Sequence, residues 1–108
     1  MAINLLSPIA RMSFGPERGT LIWQLPINTV SWLKKQNLTE DAKETLEAAW
    51  DMFLHEGQYA VLKRDPAKLG KVSLVLITED YSVAKLAIFG SDEFVYHITS
   101  KIIYEKAS

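Results

Sequence analysis

The chain has 108 residues, of which 48% are hydrophobic, 10% aromatic and 23% charged, and its net charge is −1. That is one domain's worth of chain, and its composition excludes a disordered tail, a collagen-like repeat and a coiled-coil rod. No cysteine is present, which excludes disulfides, thiolate catalysis and cysteine-ligated zinc or iron–sulfur centres.

Residues 1–19 are the least regular part and read as an arm followed by the loop Ser13-Phe14-Gly15-Pro16-Glu17-Arg18-Gly19. The arm is apolar at Ile3, Leu5, Leu6, Ile9 and Met12, so it docks either on its own domain or on a partner. No basic region precedes its apolar stretch and Pro8 interrupts it, so no secretory signal is expected. Residues 20–108 read as a single α+β domain. Its longest apolar run in the second half, Leu74-Val75-Leu76-Ile77, falls far short of the roughly 20 residues a membrane helix needs. The expectation is a cytoplasmic protein with no membrane partner.

Thr20–Leu25 alternates as a strand, with Leu21, Trp23 and Leu25 on one face and Pro26 ending it. A short helix is predicted over Thr29–Gln36, with Asn28 as N-cap and Val30 and Leu33 facing inward. A long helix is predicted from about Glu40 to Glu56. Thr39 offers a side-chain oxygen to its first turn, and Ala42, Leu46, Ala49, Trp50 and Phe53 form one stripe. After Gly57 the apolar period changes to two, giving candidate strands at Gln58–Arg64, Lys71–Thr78, Val83–Phe89 and Phe94–Tyr104. In the third of these, Val83, Leu86, Ala87 and Gly90 also fit a helical turn.

The predicted order is β-α-α-β-β-β-β. It implies an α+β two-layer sandwich: a mostly antiparallel five-stranded sheet with one long and one short helix on one face. The other sheet face is then left over, and it is not polar. It carries Val75 and Ile77 from one strand and Val95 and Ile103 from the last. Apolar residues on both faces of a strand imply cover on both sides. The arm or a second copy of the chain would supply it.

Catalytic and metal-binding motifs are absent. The two histidines, His55 and His97, have no ligand spacing, and there is no nucleophile elbow. The glycine-containing loop at 15–19 precedes a strand, whereas phosphate cradles follow one. Acids of the long helix read as a solvated face. They also argue against DNA, because that helix carries six acids against one lysine and would repel phosphates. No catalytic residue, metal or cofactor is assigned.

The expected function is a non-catalytic protein–protein interaction module, a homodimer that binds and modulates a protein target. Its binding residues would be Trp32, Val75, Ile77, Val95 and Ile103. Trp32 falls off the Val30/Leu33 stripe and is the best exposed anchor. The alternative is a small ligand-binding protein or an RNA-acting enzyme with a pocket between sheet and helices. Contacts would then come from Arg18, Lys63, Arg64, Lys68, Lys71, His97 and Lys101. In outline the predicted order of elements resembles that of small bacterial ribonuclease toxins, with two N-terminal helices flanking a compact antiparallel sheet. No sequence motif carries that resemblance, and those toxins are generally basic.

Overall fold

A computed structural model describes residues 2–99 in full and the backbone of residues 101–105. Its elements run from a 3-10 turn (Ile22–Gln24) through α1 (Ile27–Lys34), α2 (Glu40–Leu54), β1 (Tyr59–Arg64) and β2 (Val72–Thr78) to α3 (Tyr81–Leu86), β3 (Glu93–His97) and β4 (Lys101–Glu105). The sheet has four strands in the order β2-β1-β3-β4, and every neighbouring pair is antiparallel. The α+β class stands, but the five-stranded sheet and the order β-α-α-β-β-β-β do not. No helix among the described residues is long and apolar enough to cross a membrane.

Three departures account for the corrected topology. The expected strand Thr20–Leu25 makes one bridge, Leu21 to Arg11, and then turns as a 3-10 helix. Leu21, Ile22 and Trp23 are all buried in succession, which a one-faced strand cannot do because successive side chains point to opposite faces. The expected strand Phe94–Tyr104 is a hairpin, in which Tyr96 pairs with Ile102 and His97 with Lys101. Its neighbour β1 is only six residues long, so a continuous strand of that length would leave its second half without a partner.

The third departure changes the layering. Residues expected as the strand Val83–Phe89 begin instead as a helix, α3. The Asp80 side chain caps it by accepting the Ser82 N–H at 2.8 Å. Ala84 and Ile88, four residues apart, are buried against Val61 and Val95. At the far end one Glu93 carboxylate oxygen accepts the N–H groups of Phe89 and Gly90, at 3.0 and 3.1 Å. The sheet is therefore covered on both faces, by α3 on one and by the arm and the earlier helices on the other. The short and long helices do share one face, but α3 adds a layer on the other, so the two-layer sandwich is overturned.

The larger core lies on that other face. Leu5 and Met12 of the arm join Trp23, Leu33, Leu46, Met52, Leu62 and Phe94 in it. Ile3 is tied to the connection between α1 and α2, donating to Asn37 O at 2.8 Å and accepting from Thr39 N at 3.1 Å. The buried Thr45 hydroxyl donates to Leu5 O at 2.8 Å. Trp23 Nε1 donates to the Tyr96 hydroxyl at 3.1 Å. α1 starts two residues before the predicted Thr29, with Pro26 rather than Asn28 at the N-cap position. Val30 and Leu33 face inward. Thr39 caps α2, its side chain accepting from Ala42 N at 3.1 Å. Met52 is buried on α2 where the expected stripe has Phe53, which is 43% exposed and stacked on Trp50.

A bulge in β2 redistributes its side chains. Leu76 pairs with Val61 and Leu74 with Leu62, so Val75 is a spare residue between them. Val72, Leu74 and Ile77 consequently pack on the larger core, and Leu76 on the α3 side. Strict alternation would place Ile77 opposite Leu74. The spare residue reverses the phase, because a one-residue shift exchanges faces. Deleting Val75 is therefore expected to preserve a cooperative thermal transition. Deleting Val61 from the unbulged partner strand is expected to abolish it. Equal damage from the two deletions, followed by circular dichroism, would refute the bulged register.

Candidate functional site

An apolar depression of the surface lies between the loop after the arm and the outer side of α1. It encloses about 330 Å³ and is lined by Met12, Phe14, Gly15, Pro16, Glu17, Asn28, Thr29 and Trp32. The helical period explains the α1 wall. Burial of Val30 and Leu33 turns Asn28 and Trp32 to the opposite side, and Trp32 is 52% exposed. Backbone bonds build the other wall. Met12 N donates to Thr20 O at 2.8 Å and Gly19 N to Met12 O at 2.9 Å, closing the loop at its base. Inside it, Arg18 N donates to Gly15 O at 3.2 Å. Gly15 and Gly19 take φ values of 78° and 90°, a region that side chains disfavour. Arg11 Nη1 also donates to Gly19 O, at 2.7 Å.

The remaining expected partner-binding residues are not gathered there. Val75 is 48% exposed at the bulge of the edge strand β2. Ile77 is partly buried on the larger core, while Val95 is fully buried beneath α3, on the opposite sheet face. The side chain of Ile103 lies outside the described residues. A separate exposed group, Val83, Leu86 and Phe89, is on and just beyond α3.

The expected basic contacts are likewise dispersed. Lys68 and Lys71 both reach Asp41, at 2.5 and 2.6 Å, and Lys71 also lies 3.4 Å from Glu44. The Arg64 guanidinium sits over the Phe94 ring, 4.2 Å from its centroid. Lys63 and Arg18 are exposed, and the side chain of Lys101 lies outside the described residues. His97 is held in place structurally: it stacks on Tyr59, and Nε2 lies 3.1 Å from Gly57 O. A carbonyl only accepts, so Nε2 carries the proton and Nδ1 faces the Thr99 hydroxyl at 3.1 Å.

Among the described residues no group of three or more His, Asp or Glu side chains could hold a metal ion. Among the described residues no buried side-chain nitrogen or oxygen lacks a partner, so no orphaned polar atom there marks a ligand. The groove was only half legible in advance. Trp32 follows from its place off the helix stripe, whereas Met12, Phe14 and Pro16 stand in a loop, where no periodicity marks a wall.

Hydrogen bonds from Lys68 and Lys71 hold the Asp41 carboxyl below its ordinary 3.8, and the bond to Asp41 raises Lys71 above its ordinary 10.5. Asp41's contribution to stability is complete above its unfolded value and is lost as pH falls through the lower folded one. Lys71's is complete below its unfolded value and is lost as pH rises through the higher folded one. The urea midpoint of Asp41→Asn is therefore expected to lie below that of the parent chain between about pH 4 and 10 and to converge on it at both extremes. A gap that is constant with pH would assign the stabilisation elsewhere.

Comparison with family models, with curated proteins and with solved structures gives no match to this chain.

Proposed function

We propose that this chain acts by binding another protein, without catalysis, and that the groove beside Trp32 receives an apolar side chain of that partner. The observation that carries this reading is an exposed tryptophan on an apolar depression whose other wall is a hydrogen-bonded loop. Tryptophan is enriched among residues that dominate binding energy, and a wall already ordered loses little entropy on association. Exposed apolar surface beside such an anchor favours association over solvent.

RNA binding has less support. Phosphate binding gains its energy when free cations displace counterions. Lys68 and Lys71 are already engaged by Asp41 and Glu44. A homodimer formed to cover the second sheet face loses its motive, because α3 packs over Val61 and Val95 there.

Selection of random peptides displayed on phage against the immobilised chain tests the reading. The expected outcome is enrichment of sequences sharing one large apolar residue. Their affinity for Trp32→Ala should fall by at least about tenfold, the scale of truncating a contact worth about 1.4 kcal/mol or more. Trp32 is 52% exposed, so this variant should retain the parent circular dichroism spectrum. Failure to enrich any sequence, or binding indifferent to Trp32, would refute the proposal.

A further inference from the structure

We propose that the open edge of β2 takes an extended basic segment of another protein as an added strand, with Lys or Arg at alternate positions meeting Glu47 and Asp51 of α2. This surface shares no residue with the Trp32 groove and does not depend on that reading.

β2 is an edge of the sheet, with β1 on one side only. Val72 N points away from β1 and donates to Leu6 O at 2.9 Å, so a passing piece of chain already bonds to this edge. In an antiparallel pair the backbone groups of successive residues point alternately to the neighbour and away. Leu74, two residues on, therefore turns its N–H and C=O outward, and among the described residues neither has a partner there. An unpaired edge is a template for a further strand. The spare Val75 then breaks the regular spacing, so the added pairing is short and centred on Leu74.

Charge selects the occupant. A depression of about 260 Å³ runs beside this edge, lined by Lys71, Ser73 and Leu74 on one side and by Glu44, Glu47 and Asp51 of α2 on the other. Lys71 is already held by Asp41 and Glu44. Glu47 and Asp51 are exposed and have no ion pair among the described residues. A helix rises about 1.5 Å per residue, which sets these two about 6 Å apart along α2, and alternate residues of a strand repeat about every 6.6 Å. A basic residue at every second position can therefore address both acids, whereas an acidic segment would meet like charge.

A second copy fits this edge poorly. Antiparallel pairing of β2 with its own copy places a twofold axis at the seam, normal to the sheet. Both α2 helices would then lie on the same face, with Glu47 and Asp51 of each beside the seam. Like charge would face like charge, and each strand would bring its bulge to the pairing. The opposite edge of a second copy, β4, would instead join head to tail and propagate without closure.

Three short peptides test the proposal by fluorescence anisotropy: alternating Val and Lys, alternating Val and Glu, and the Val/Lys peptide with its backbone nitrogens methylated. Methylation keeps the charge and removes the strand's donors. At low salt the Val/Lys peptide should bind at least about fivefold tighter than the Val/Glu peptide, the scale of two exposed ion pairs, and the gap should close in high salt. The methylated peptide should bind about fivefold more weakly or worse, the scale of one lost hydrogen bond. The double variant Glu47→Gln/Asp51→Asn, changed only at exposed positions, should keep the parent circular dichroism spectrum and lose the preference for Lys. Trp32→Ala should keep that preference. Equal binding of the methylated peptide would reduce the surface to an acidic patch that attracts any cation, and would overturn the inference. Equal binding of the Val/Glu peptide, or no binding of the Val/Lys peptide, would overturn it as well, and each leaves the Trp32 reading intact. A mass by light scattering that grows with concentration, and that the Val/Lys peptide returns to one chain, would assign the edge to β4 of a second copy instead.

Discussion

The strand β1 is buried on both faces, and the rest of the molecule is arranged around that constraint. Ala60, Val61 and Leu62 are all completely shielded, although their side chains alternate across the sheet. Burying one such Val or Leu contributes about 1.5–3 kcal/mol, so neither face can be left to water without a large loss. The arm, α1 and α2 close one side and α3 closes the other. Cover for the second face is thus encoded a few residues downstream, in a short capped helix resting on Ala84 and Ile88.

That arrangement frees the outside of α1. Its inner residues Val30 and Leu33 commit the helix to the larger core, which leaves Trp32 facing out. The loop opposite is fixed through Met12, which is both a buried core residue and a backbone partner of Gly19 and Thr20. Groove and core therefore share a residue, and the shape of one depends on the packing of the other. Elsewhere, Asp41 gathers Lys68 and Lys71 from the β1–β2 loop onto α2. The basic residues there serve the fold, while those near the groove remain exposed.

The sequence was informative where one periodic signal acted alone. The α2 helix, its Thr39 cap and the first two strands are readable from spacing because long-range packing agrees with local preference. It misled where alternation had two meanings. Leu21, Trp23 and Leu25 alternate, yet Ile22 between them is also buried, and the segment turns. Residues from Val83 onward satisfy both periods, and the Asp80 cap decides for the helix. The spare Val75 is invisible in composition, since a bulge is a property of the pairing and not of either strand by itself. Half of the groove was hidden for a similar reason: Met12, Phe14 and Pro16 become a wall only once Gly15 and Gly19 bend the chain back.

The environments of the tryptophans carry an optical consequence. Trp23 is 2% exposed, with its indole N–H bonded to the Tyr96 hydroxyl, whereas Trp32 is 52% exposed beside the groove. The two indoles sit in media of opposite polarity, and Trp50, half-buried and stacked on Phe53, lies between those extremes. Intrinsic emission therefore divides into a short-wavelength component that follows unfolding and a long-wavelength component sensitive to whatever settles against α1. The native chain can report on both without an added label.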